Sequence, residues 1–500
     1  SKVIRRFDRV SNALVLEAHR QDIEKIKALA NVRRVTPERR FHITLADSLP
    51  LVNAPNVWAL KDDQDMEVKG KGVSVAILDT GIDYTHPALG GCLGTDCKVV
   101  AGYDFVNNDG DPMDGHGHGT HVAGIVGANG DSLSGVAPDV SLYGYKVLSD
   151  GGWGSNTDII AAIEKAVDPD GDPLTHDAVD IINMSLGGPG EPDGPLSSAV
   201  NNAVDAGVIV VVAAGNNGNY GDINTSSPAN AEKAITVASS TKSDDLSYFS
   251  SKGLPEQGLA IKPEITAPGS DIVSTFLNGE TSSMSGTSMA SPHVAGAVAL
   301  LKQLSPELSA QQAKERLMAG ARDLGLDPLS QGAGRMDIEA SSQVSLFSEP
   351  GIVHFGQVDK EAASWQSTQS LVINNTADTE QTYSLSMPDD ISPGAVLSAS
   401  AEAITVAANS QASVEISVSI EDVASFAYPE NNAGIFFDAI EISSKLQTLR
   451  VPLVLDHSLT LTITSNAPSY TRVLIKSEDY SFFSWPSINA GEEKALEVLY

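Results

Sequence analysis

The stretch Val73-Ser-Val-Ala-Ile-Leu78, followed at once by Asp79-Thr-Gly-Ile-Asp83, decides how this chain is read. Its six residues are nearly all apolar and show no helical period. An unbroken apolar run of this length fits a strand buried on both faces, the signature of a parallel sheet covered by helices. Similar runs occur within Val140–Leu148, at Val179–Met184 and at Val208–Val212. Between them lie helical patterns, the clearest being the Ala-rich His293–Leu304, and Ser309-Ala-Gln-Gln312 forms a capping box. Residues from about 50 to 342 therefore predict an α/β domain with a doubly wound parallel sheet.

In open parallel sheets, functional groups gather at the carboxyl ends of the strands. Three polar motifs fall there: Asp79-Thr-Gly-Ile-Asp83, His116-Gly-His118-Gly-Thr-His121-Val-Ala-Gly124 and Gly286-Thr-Ser288-Met-Ala-Ser291-Pro-His293. A serine hydroxyl is a weak nucleophile, an imidazole can take its proton, and a carboxylate on the far ring nitrogen fixes the tautomer. Ser288 also stands at a helix start, where the dipole favours negative charge. The run Ala213-Ala-Gly-Asn216-Asn-Gly218 offers an amide donor for an oxyanion. Asn183-Met-Ser185-Leu186-Gly187-Gly188 leaves backbone groups on which a peptide can pair as an added strand.

Taken together and in this order, the five motifs resemble the subtilisin-like serine proteases, over about residues 50–342. The resemblance implies a serine endopeptidase acting on protein or peptide substrates. It assigns Asp79 as orienting acid, His118 as general base, Ser288 as nucleophile and Asn216 as oxyanion donor, with Ser185, Leu186 and Gly187 binding substrate. His118 is chosen because it is the first His of the H-G-T-H motif. His121 and His293 are expected to pack inside helices, and His116 to lie in a loop. An esterase of the α/β-hydrolase type is disfavoured, since that fold needs a G-x-S-x-G elbow and a histidine last in the chain. The remaining alternative is a non-catalytic binding protein on the same fold.

Outside the central region the composition changes. Residues 1–41 hold eleven Lys or Arg against five acids, within a 500-residue chain of net charge −32. A basic head on an acidic body suggests mutual attraction, and the overall charge argues against nucleic acid. Residues 1–45, read as strand, helix, strand, resemble the later part of an inhibitory prosegment. That implies an intramolecular inhibitor released by self-cleavage near Phe41–Ser48. Residues 343–456 alternate in short β-like runs and resemble a fibronectin-like antiparallel β-sandwich, and residues 457–500 begin a further β domain. Cys92 and Cys97 can close a small disulfide, which fits a secreted or cell-surface protein. No apolar run reaches the ~18–20 residues that span a bilayer.

The family often holds calcium. Asp104-Phe-Val-Asn-Asn-Asp109-Gly-Asp111-Pro-Met-Asp114 resembles one of its calcium loops, through Asp104, Asp109 and Asp111. A second acidic run, Asp168-Pro-Asp170-Gly-Asp172 to Asp177, is the other candidate.

Overall fold

The computed structural model describes residues 2–7, 13–17, 22–29, 31–32, 48–172, 175, 177–218, 225–253, 261–388, 393–426 and 435–456, together with strand backbone at 459–464, 471–472, 475–476, 483–484, 487–488 and 493–498. Two compact units divide the chain, Ser1–Ile43 and Thr44–Tyr500.

In the first unit, β1 (Lys2–Phe7) pairs antiparallel with β2 (Ala13–Glu17), and α1 (Ile23–Lys27) follows. The sequence reading missed β1, because Arg5 and Arg6 break the apolar pattern of that strand. The strand expected at Val32–Val35 and the expected cleavage stretch lie almost wholly outside the described residues.

After two short helices, Ser48–Leu51 and Ala54–Trp58, the second unit builds a parallel sheet. Its strands are β3 (Ser74–Asp79), β4 (Val99–Asp104), β5 (Ser141–Lys146), β6 (Ile181–Met184), β7 (Ile209–Ala213), β8 (Ile235–Ser240) and β9 (Ile265–Pro268), in the spatial order β9-β8-β7-β6-β3-β5-β4. Every neighbouring pair is parallel. The apolar runs are continuous because the two faces serve two cores. Val75, Ile77, Ile181, Ile209 and Val211 enter one; Ala76, Leu78, Ile182, Val210 and Val212 enter the other. The first core also takes α2 (His118–Gly127), and the second takes α3 (Asn156–Val167) and α4 (Pro195–Asp205).

A hairpin of β10 (Ile272–Thr275) and β11 (Thr281–Met284) leads into α5 (Thr287–Leu304), a helix buried along most of its length. The helix starts six residues earlier than its apolar stretch suggests, so Ser288 lies inside its first turn. After it, α6 (Ala310–Ala319) carries the capping box between Ser309 and Gln312.

The chain then forms two facing sheets. One is built from β12 (Leu346–Glu349), β14 (Trp365–Asn375), β18 (Ser410–Ile420) and β16 (Ala395–Ala399). The other is built from β13 (Val353–Gln357), β20 (Thr448–Asp456), β19 (Ile435–Ser443), β15 (Gln381–Ser386) and β17 (Ala403–Val406). They enclose one core, including Leu346, Phe355, Ile373, Ile416, Ile440 and Leu453. The sandwich is antiparallel as expected, except that β13 and β20 run parallel. Among residues 457–500, Leu459–Thr464 pairs antiparallel with Glu493–Val498. Cys92 and Cys97 are joined in a disulfide. Among the described residues no helix is long and apolar enough to cross a membrane.

Candidate active site

The carboxyl ends of β3, β6 and β7 lie side by side at one rim of the sheet. Asp79 is the last residue of β3 and is fully buried. Its Oδ1 accepts from the Thr80 amide at 2.7 Å and from His118 Nδ1 at 2.7 Å. The carboxylate oxygen accepts in this contact, so Nδ1 carries the proton and Nε2 keeps its lone pair. Asp79 Oδ2 is buried with no hydrogen-bond partner.

His118 opens α2, whose first turn sits directly on the loop after β3. A Cβ on Gly119 would lie 2.1 Å from the Gly81 carbonyl, so only glycine permits this approach. The Gly119 amide instead donates to Thr80 Oγ1 at 2.9 Å. Burial is the largest single influence on His118 and opposes its charge. The Asp79 charge, the Asp79 hydrogen bond and the Asp114 charge together outweigh it, and the pKa is raised above the ordinary 6.5.

Ser288 is the second residue of α5. Its Oγ donates to the Ser185 carbonyl at 3.2 Å, and Ser185 Oγ donates back to the Ser288 carbonyl at 2.8 Å. Ser185 directly follows β6, the neighbour of β3, so the hydroxyl stands at the rim that holds Asp79 and His118.

Asn216 follows β7. Its Oδ1 accepts from the Thr287 amide at 2.9 Å and from Thr287 Oγ1 at 3.1 Å. A backbone amide only donates, so it fixes which end of the Asn216 amide is oxygen. Asn216 Nδ2 lies 3.4 Å, the Ser288 amide nitrogen 3.6 Å and Asn216 Oδ1 3.8 Å from where a Cβ on Gly286 would sit.

Beyond Ser185 the backbone bends away, and the Gly188 amide donates to the Ser227 carbonyl at 2.9 Å. Ser226 Oγ comes within 2.6 Å of a Cβ built on Gly187 and 3.4 Å of one built on Gly215. The Ser185 side chain itself braces Ser288. His121 and His293 stay apart from this chemistry. Burial lowers each to about 4, and their rings bond backbone carbonyls, at Ile272 and Ser282 for His121 and at Met289 for His293.

The structure does not gather Asp104, Asp109 and Asp111. Asp104 accepts from the Val106 amide and from both nitrogens of Asn107, Asp109 from the Asp111 amide, and Asp111 from Tyr84 Oη and the Met113 amide. Each carboxylate turns its own loop. Among the described residues, the acidic group that converges is Asp168, Asp170 and Asp177, whose nearest oxygens lie within 4.8 Å of one another.

The model of the subtilase family (Peptidase_S8) matches residues 70–335, just over half of the chain. The chain belongs to the subtilase family. Among its relatives, subtilisin DY of Bacillus licheniformis is 41% identical over 303 residues, which are 60% of this chain and 99% of that protein. The major intracellular serine protease of Bacillus subtilis (strain 168) is 40% identical over 55% of this chain and 80% of its own. A cold-adapted subtilisin-like serine proteinase of known structure is 36% identical over 54% of this chain and 88% of its own, with a TM-score of 0.44. This subtilase is accordingly a subtilisin-like serine peptidase with an α/β catalytic fold followed by β-sheet.

Two supports of the site were not read from the sequence. Thr287 orients Asn216, and Lys146 Nζ bonds both the Thr80 carbonyl and Asp150 at 2.7 Å. A lysine ending an apolar strand is the only signal that could have marked the second.

Proposed function

We propose that this subtilase is a secreted endopeptidase that cleaves peptide bonds through an acyl-enzyme on Ser288. His118 Nε2 takes the Oγ proton as Ser288 attacks the carbonyl, and returns it to the leaving amine. Asp79 holds the ring and balances the imidazolium. Its buried Oδ2, which nothing else satisfies, makes that positive charge the natural complement of the carboxylate. Asn216 Nδ2 and the Ser288 amide receive the oxyanion. The substrate pairs with Ser185–Gly187, with the side chain before the scissile bond entering beside Ser226. The observation that carries this reading is the 2.7 Å Asp79–His118 contact, which leaves Nε2 free to act as a base.

Secretion is supported by the Cys92–Cys97 disulfide, since such bonds persist in oxidising compartments. We assign residues 1–45 to a partial prosegment that inhibits and is then cleaved off. Residues 343–456 are assigned to a fibronectin-like module. Calcium, if taken up, is held at Asp168, Asp170 and Asp177 as a structural ion, with the remaining oxygens from water or backbone. The test is Ser288→Ala in the full chain. It should abolish casein hydrolysis, leave the fold intact and keep the N-terminal segment attached by mass; hydrolysis at the normal rate overturns the reading.

A further inference from the structure

Asp114 sits in the acidic run before His118, yet its carboxylate is committed to the helix that carries that histidine. It is 4% exposed. Oδ1 accepts from the His116 amide at 2.8 Å and the Gly117 amide at 2.9 Å; Oδ2 accepts from the Thr120 amide at 2.9 Å and Thr120 Oγ1 at 2.7 Å. The first residues of a helix leave amides without intrahelical partners. The residue preceding α2 is Gly117, in a left-handed conformation and with no side chain to offer them. Asp114 does that work from three residues further back.

The same carboxylate roots a wider frame. Thr120 Oγ1 accepts from the Asp83 amide at 2.8 Å, Asp83 Oδ2 accepts from the Asn278 amide at 2.8 Å, and the Thr120 carbonyl accepts from Thr275 Oγ1 at 2.7 Å. The start of α2 is thereby tied to the loop after β3 and to the β10–β11 hairpin. The titratable groups around His118 are Asp79 from β3, Asp114 from this loop, His116 with its ring centroid 6.3 Å away, and His121 on the same helix. Lys146 and Asp150 form a pair behind Thr80.

We propose that Asp114 is a positioning residue for peptide hydrolysis: it caps α2 from outside the helix, fixes the His118 ring against Asp79, and gives the imidazolium a second negative charge to face. This rests on the reading of His118 as general base. Asp114 acts in the direction that raises the His118 pKa, adding to Asp79. An anion at a helix start is also favoured by the helix dipole.

The test compares Asp114→Asn and Asp114→Glu in the full chain, with circular dichroism to verify folding. Asp114→Asn keeps an acceptor but loses the charge. Its kcat/KM should fall about tenfold through kcat, since small misplacements of a reacting group are costly. The ascending limb of its pH profile should move to lower pH by about half a unit. Asp114→Glu keeps the charge, so its limb should stay at the wild-type pH while kcat falls. A folded Asp114→Asn enzyme with an unmoved limb overturns the proposal. So does an Asp114→Glu limb displaced to lower pH, which decides the matter if Asp114→Asn does not fold. His118→Ala separates the two levels. If it hydrolyses casein normally, the general-base reading fails. If it is inactive and the Asp114→Asn limb has not moved, only the role of Asp114 fails.

Discussion

Asn216 shows how one backbone amide can set the chemistry of a side chain. The Thr287 N–H holds its carbonyl end and so fixes which way the side-chain amide is oriented. Asn216→Ala should lower kcat by about 10²–10³-fold with little change in KM, the cost known for removing one such donor from a subtilisin. Steady-state kinetics on a peptide substrate checks this. The pH profile carries a second residue-scale expectation. The base works only when neutral, and the pKa of His118 is raised above 6.5. Activity should therefore climb with pH along a limb centred above 6.5, and a midpoint below that value would contradict the geometry. Asp79, His118, Ser288 and Asn216 stand out in the sequence because each follows an apolar strand or opens a helix. Thr287 does not, because its role depends on an amide in another element 71 residues away.

At the scale of elements, the apolar runs announced the strands. Alternate residues of one strand enter different cores, so no polar face interrupts the pattern. The helices were less sharply legible. The apolar stretch places the start of α5 near His293, whereas the helix begins at Thr287 and carries Ser288 in its first turn. Of the two acidic runs, Asp104, Asp109 and Asp111 each accept from amides of their own loop. Asp168, Asp170 and Asp177 converge. Calcium should raise the thermal midpoint of the wild type by a few degrees, and Asp170→Asn should lose that gain. A midpoint unchanged by calcium and chelator removes the ion from this account. Differential scanning calorimetry measures both.

Across the whole molecule, the catalytic region and the sandwich share a small apolar seam. Ile261, Met318, Leu329 and Ala333 meet Ile352, Ile435 and Val454 there. Beside it lies Glu315 of α6, 3% exposed, with Oε2 buried and unpartnered. A Cβ on Gly351, in the turn after β12, would lie 2.4 Å from that oxygen. Burial pushes Glu315 up to about 8, with Glu349 and Glu264 adding to the rise and Lys314 and Gln311 opposing it. The unfolded chain ionises this group from about pH 4.5, while the folded chain keeps its proton, so stability falls as pH climbs towards 8. Glu315→Gln removes that fall. It should raise the thermal midpoint by a few degrees at pH 9 and by less at pH 5. Equal shifts at both pH values would show that Glu315 is not held neutral. The composition shift near residue 343 marked the sandwich in the sequence, but its seam was invisible, since it joins Met318 to Val454 across distant segments.

The central claim is that Ser288 is a nucleophile activated by His118. Its most direct measurement is peptide mapping after reaction of the full-length protein with a serine-directed organophosphorus fluoride. One adduct is predicted, on the segment containing Ser288, with activity lost in proportion and labelling suppressed in His118→Ala. Labelling at another residue, or full hydrolysis of casein by protein labelled completely at Ser288, would contradict the account.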